Sequence, residues 1–199
     1  ALGNPQATKE AEVELDWISK SGARVVSAEA GIVHWTVTVK VPGEAGKAIS
    51  GAQIVDALDD KLELITGNPS YPVQIKIGSA TSDVPLGGAG EWGKYHYAAN
   101  TLTYSFPTAD GTDGSFTGTA ELSFYTRVRD AEREGLLNNN GGISFTNEAS
   151  LDWTENVTLG VPTHKVTSMT GVGAGGLVDK SAGGITNYTY NSADNTIQW

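Results

Sequence analysis

From Val33 to Val41 the sequence alternates without a break, with Val33, Trp35, Val37, Val39 and Val41 on one parity and His34, Thr36, Thr38 and Lys40 on the other. A period of two is what a β-strand with one buried face imposes, because successive side chains point to opposite faces. A helix would scatter these β-branched residues around its circumference and restrict their rotamers. Pro42-Gly43 ends the run. A chain built around such a strand must supply others to pair with it.

It supplies many. Ala52, Ile54, Asp56 and Leu58 share one parity, and further short strands are expected at 62–65, 73–77, 94–98 and 102–106, separated by turn signals such as Gly67-Asn68-Pro69 and Asp110-Gly111-Thr112-Asp113-Gly114. Residues 115–128 read as a long strand with Phe116, Ala120, Leu122, Phe124 and Val128 on one face. Ile143, Phe145, Asn147, Ala149, Leu151 and Trp153 share a face of another. Near the start, Val13, Leu15 and Trp17 lie on one parity and Ile18 and Lys20 on the other, which predicts a bulge or two short strands, with a turn at Gly22. Residues 158–167 offer a closing strand interrupted by Pro162, and 130–137 is the only helical candidate. The 25 glycines, with abundant Thr, Val and Tyr, agree with this balance. The pattern predicts an all-β fold, an immunoglobulin-like two-sheet β-sandwich.

The chain has no cysteine, which excludes disulfides, thiolate metal sites and cysteine nucleophiles together. Its net charge of -10 disfavours nucleic acid and anionic membranes as partners. No apolar run approaches the roughly 20 residues that span a bilayer, and no basic-then-apolar leader opens the sequence, so no membrane insertion is expected of this stretch.

The segment Gly176 to Ala182, running on to Asn195-Thr196-Ile197-Gln198-Trp199, echoes Asp16 to Gly22 running on to Gly31-Ile32-Val33-His34-Trp35. In each, an apolar residue stands two before a lysine, Ser follows it, and a strand ending in Trp comes after. This predicts a sandwich domain over 1–168, then a linker and the beginning of a second similar repeat over 169–199, with Gly171 to Gly176 as linker and Lys180 as the counterpart of Lys20.

Three polar residues sit on apolar parities: Lys20 beside Ile18, Asp56 between Ile54 and Leu58, and Asn147 between Phe145 and Ala149. Singly, each reads as a rim position, where a lysine reaches solvent and the others cap turns. Together they point to a buried cluster, since an isolated buried amide or charge is costly. The order of a strand with Lys20-Ser21-Gly22, the strand Trp35-Thr36-Val37-Thr38-Val39, the segment Ile54-Val55-Asp56-Ala57-Leu58-Asp59-Asp60-Lys61-Leu62-Glu63-Leu64, and Phe145-Thr146-Asn147-Glu148-Ala149-Ser150-Leu151 resembles the isopeptide-forming domains of Gram-positive surface adhesins and fimbrial (pilin) proteins. The similarity spans about residues 17–153.

That resemblance implies an amide formed autocatalytically between Lys20 and Asn147, assisted by Asp56, with no cofactor and no other enzymatic activity. Burial favours the neutral amine and the protonated carboxylic acid that such a reaction needs. It implies an extracellular, cell-wall-anchored surface location, neighbouring domains of the same protein as partners, and a host matrix protein or glycan as a further one. A bond between residues so far apart would stabilise by roughly 4 to 5 kcal/mol through the unfolded chain, by analogy with a disulfide. The alternatives are a ligand-binding adhesin module and a carbohydrate-active accessory domain using the paired carboxylates Glu148 and Asp152. His34, His96 and His164 show no metal-ligand spacing. Residues 110–114 carry the oxygens of a calcium loop without its later glutamate and read better as a hairpin loop. Trp92, Tyr95, Tyr97 and Tyr104 fit either a contact surface or cross-strand packing.

Overall fold

A computed structural model of the chain describes residues 18–25, 31–41, 49–107, 116–132, 143–153, 164–174, 189–191 and 196–198. Its strands are β1 (Ile18–Arg24), β2 (Ile32–Val41), β3 (Gln53–Ala57), β4 (Leu62–Leu64), β5 (Gln74–Ile77), β6 (Ala80–Asp83), β7 (Tyr95–Ala98), β8 (Thr101–Ser105), β9 (Gly118–Val128), β10 (Ile143–Trp153), β11 (His164–Ala174), β12 (Thr189–Asn191) and β13 (Thr196–Gln198). One sheet runs β1-β2-β9-β5-β6, with β4 also paired to β9, and the other runs β11-β10-β3-β8-β7. Every pairing between these strands is antiparallel. The protein is an all-β two-sheet sandwich.

The alternation dictates which faces meet. Val33, Trp35, Val37, Val39 and Val41 are all buried, as are Ala120, Leu122 and Phe124 opposite them on β9 and Val128 at its end, opposite Leu62 of β4. From the other sheet come Ile54, Leu102, Tyr104, Phe145, Ala149, Leu151 and Trp153. Burying each large apolar side chain contributes about 1.5–3 kcal/mol, so this interior is the main source of stability. One polar residue in it is fully satisfied: Thr126 is buried on β9, and its hydroxyl accepts a 2.8 Å hydrogen bond from the indole N–H of Trp35.

Several expectations change. Gly22 is strand backbone within β1, paired with Trp35, because a continuous β2 offers it a partner. β6 was not expected; its side chains are exposed throughout, so no hydrophobic alternation announces it. β11 crosses the boundary expected at residue 168 and takes in Gly171 to Ala174, which pair with Thr146 to Ile143, so these residues are ladder and not linker. Asp130–Glu132 is helical, and the rest of the helical candidate lies outside the described residues. So do residues 1–17, the calcium-like loop and most of the repeat segment, including Lys180; of that segment, β12 and β13 pair antiparallel.

Replacing Thr126 with Val keeps the shape but strands the buried Trp35 N–H, and is expected to destabilise the domain by about 1–3 kcal/mol in chemical denaturation.

Candidate functional site

β1 places Lys20 opposite Val37 of β2, with its side chain directed into the sandwich, as parity with Ile18 requires. β3 lies inside the other sheet, where Asp56 is paired with Ala149 of β10 on one side and Leu102 of β8 on the other. The two side chains meet between the sheets. The Lys20 ammonium is hydrogen-bonded to Asp56 Oδ2, and both side chains have 0% exposure. Asn147 stands one position beyond Ala149 on the same face of β10 and is also fully buried. The structure thus gathers Lys20 and Asp56 into one contact, with Asn147 next to Asp56.

The electrostatics favour neutral groups. Loss of hydration brings the Lys20 pKa from 10.5 to about 8, against the attraction of Asp56 and, more weakly, Glu148. Desolvation likewise raises Asp56, opposed first by Lys20 and then by the neighbouring Asn147 amide. The rings of Trp35 and Phe124 lie 5.0 Å and 5.6 Å from Lys20 Nζ. Ring faces stabilise a cation, so they act with Asp56 against the loss of hydration. Asp56 Oδ1 and both amide atoms of Asn147 are buried without a hydrogen bond of good geometry among the described residues. Unsatisfied buried polar atoms cost about 1–3 kcal/mol each, which makes this concentration in one spot informative.

The other sequence candidates separate from this site. Tyr95 and Tyr104 are buried opposite each other, and Tyr97 packs on the core while its hydroxyl donates to Asn100, so cross-strand packing accounts for them. His34 stacks on Tyr125 at 4.4 Å, with burial lowering its pKa, and His96 Nδ1 lies 3.3 Å from the Gly87 carbonyl. No group of metal-ligating side chains occurs among the described residues. Glu148 and Asp152 are four positions apart on β10, roughly 13 Å along a strand. Paired glycosidase carboxylates stand closer, at about 5–9.5 Å. Two surface grooves, of about 460 and 530 Å³, include neither of them.

The fold resembles known surface-protein domains in outline. The collagen-binding domain of Erysipelothrix rhusiopathiae surface protein RspB aligns over 79% of this chain and 45% of its own, at 16% identity and a TM-score of 0.47. ACE19, the collagen-binding subdomain of Enterococcus faecalis surface protein ACE, aligns over 79% of this chain and 98% of its own, at 15% identity and a TM-score of 0.49. Domains D2 and D3 of the major pilin SpaD from Corynebacterium diphtheriae align over 78% of this chain and 51% of their own, at 15% identity and a TM-score of 0.48. At such identities no ligand and no side-chain role transfers. No protein-family model matches the chain. No curated protein sequence matches it either. Among the described residues, no helix is long and apolar enough to cross a membrane.

What reading the sequence missed at the site is its surroundings. The parity of Trp35 and Phe124 was legible, but which buried lysine they would flank depends on sheet-to-sheet packing.

The pKa directions give a pH signature in Asn147→Ala, which keeps the Lys20–Asp56 pair and removes the amide. Between about pH 8 and 10.5 the unfolded chain holds the Lys20 proton and the native state does not, so stability rises with pH there. Above pH 3.8 the native state holds the Asp56 proton more tightly than the unfolded chain, so stability falls as pH climbs from 3.8 towards the raised value. Chemical denaturation across both windows reads these slopes.

Proposed function

We propose that this chain is a structural or adhesive domain of a Gram-positive cell surface, and that its own fold drives one reaction, the joining of Lys20 to Asn147. The observation that carries this reading is the Asn147 amide, fully buried and without a good hydrogen bond, beside the carboxyl that holds Lys20.

A proton passes from the Lys20 ammonium to Asp56, which their opposite pKa shifts favour. The neutral amine attacks Cγ of Asn147 while the protonated Asp56 donates a hydrogen bond to Oδ1, where negative charge develops. A proton then moves from the attacking nitrogen to Nδ2, with Asp56 as relay. The Nζ–Cγ bond forms, the Cγ–Nδ2 bond breaks, and ammonia leaves. The Trp35 and Phe124 rings keep water from competing as nucleophile. Folding supplies the proximity, and effective molarities in well-oriented intramolecular reactions reach about 10⁵ M or more.

The product ties β1 of one sheet to β10 of the other, so that neither strand can peel away alone under tension. In a chain without cysteine, this replaces the disulfide that many extracellular sandwiches use. It suits a surface location where the domain bears load between neighbouring domains of the same protein.

Intact mass spectrometry is expected to find the folded protein lighter than its sequence by one ammonia, with the difference abolished in Lys20→Ala, Asn147→Ala and Asp56→Ala. A full unmodified mass in folded wild type overturns the reading. The linked protein is also expected to exceed Asn147→Ala in stability by roughly 4–5 kcal/mol, the loop-closure value for so long a loop.

A further inference from the structure

We infer that Asp59 is a positioning residue for Asn147: its carboxylate takes the place of the strand that β3 ceases to provide, and holds β10 in register beyond the reacting amide. This rests on the amide-forming reading above.

The last pair between β10 and β3 is Glu148 with Ala57. There the chain leaves the sheet and crosses through residues 58–61 to β4 in the other one. Continuing the same antiparallel register would set Asn147 opposite Leu58 and Thr146 opposite Asp59. Leu58 carries the β3–β8 register on by one position, giving its N–H to the Asn100 carbonyl at 3.1 Å, while the edge facing β10 ends. At the next position the Thr146 N–H donates to Asp59 Oδ2 at 3.2 Å, a side chain standing where a strand carbonyl would be. Asn147 is therefore bracketed by the Glu148–Ala57 pair and by this bond. Pairing with β11 holds β10 from its other edge, but the spacing of Asn147 from Asp56 is set on the β3 side.

Asp59 is itself fixed. Its Oδ1 accepts the Lys61 N–H at 3.0 Å, and its carbonyl accepts from Leu62 N at 2.9 Å and Asn100 Nδ2 at 3.1 Å. Asn100 and Ala99 form the β7–β8 turn at positive φ, 59° and 48°, and Asn100 Nδ2 also reaches the Leu58 carbonyl at 3.1 Å. Asn100 Oδ1 accepts from the Tyr97 hydroxyl at 2.8 Å and from Arg129 Nη2 at 2.7 Å. The crossover three residues after Asp56 is thus pinned to the hairpin turn and to the end of β9, and Asp59 passes that constraint to the residue before Asn147. Small errors in placement weigh heavily in a proximity-driven reaction, where about 1 Å can cost about 100-fold.

The test is a time course of ammonia loss, read by intact mass after cell-free synthesis of the whole 199-residue chain. Asp59→Ala is expected to slow bond formation roughly tenfold or more, while Asp59→Asn, which keeps a carbonyl oxygen in place, stays within about threefold of wild type. Thr146→Pro removes the donor at the other end of the same bond and is expected to slow the reaction as Asp59→Ala does, independently of any folding defect peculiar to that variant. Equal rates in wild type, Asp59→Ala and Thr146→Pro overturn the inference. So does Asp59→Asn as slow as Asp59→Ala, which would assign the effect to charge and not to position. A wild type that never loses ammonia overturns the amide-forming reading itself.

Discussion

Two ionisable side chains buried between two sheets are the constraint to which the rest of this sandwich answers. Taking Lys20 and Asp56 out of water costs several kcal/mol per ion, and mutual attraction offsets this only if the contact is close. β1 and β3 belong to different sheets, so the contact exists only when the sheets are packed at the right spacing. The aliphatic and aromatic interior sets that spacing, and the pair in turn penalises any packing that separates its members.

Thr126 is as buried as Asn147, yet it is satisfied by the Trp35 indole and needs no further account. Asn147 lies in the same interior without such a bond. The protein can give a buried polar group a well-formed bond, and among the described residues Asn147 has none. That difference is concentrated next to a lysine whose pKa burial lowers, the kind of environment on which the proposed reaction rests.

Much of this was legible in the sequence because a strand writes its burial into alternate residues. The parities of Val33–Val41, of Ile54–Leu58 and of Phe145–Trp153 gave the inward faces of β2, β3 and β10, and together with the parity of Ile18 they singled out Lys20, Asp56 and Asn147 as polar residues on apolar faces. Signals failed where burial did not alternate. β6 is exposed on both faces, and the glycine-rich residues that close β11 carry turn composition while serving as ladder. The Asp59–Asn100–Arg129 network left no trace either, because its bonds run largely to backbone atoms, whose partners are chosen by topology and not by residue type.

The sequence by itself determined the strand periodicity, the inward faces, the absence of disulfides and the presence of three polar side chains among apolar ones. Periodicity is a local property of the backbone, and any window of a few residues reveals it. Only the tertiary structure decided that β1 lies across the sandwich from β3, that Asp56 neighbours β10, and that Asp59 reaches Thr146. Those are relations between strands distant in sequence, set by the order in which the strands join their sheets and by a register that a shift of one residue would invert. The proposed joining of Lys20 to Asn147 depends on the second kind of information, since such groups are inert until a fold brings them together.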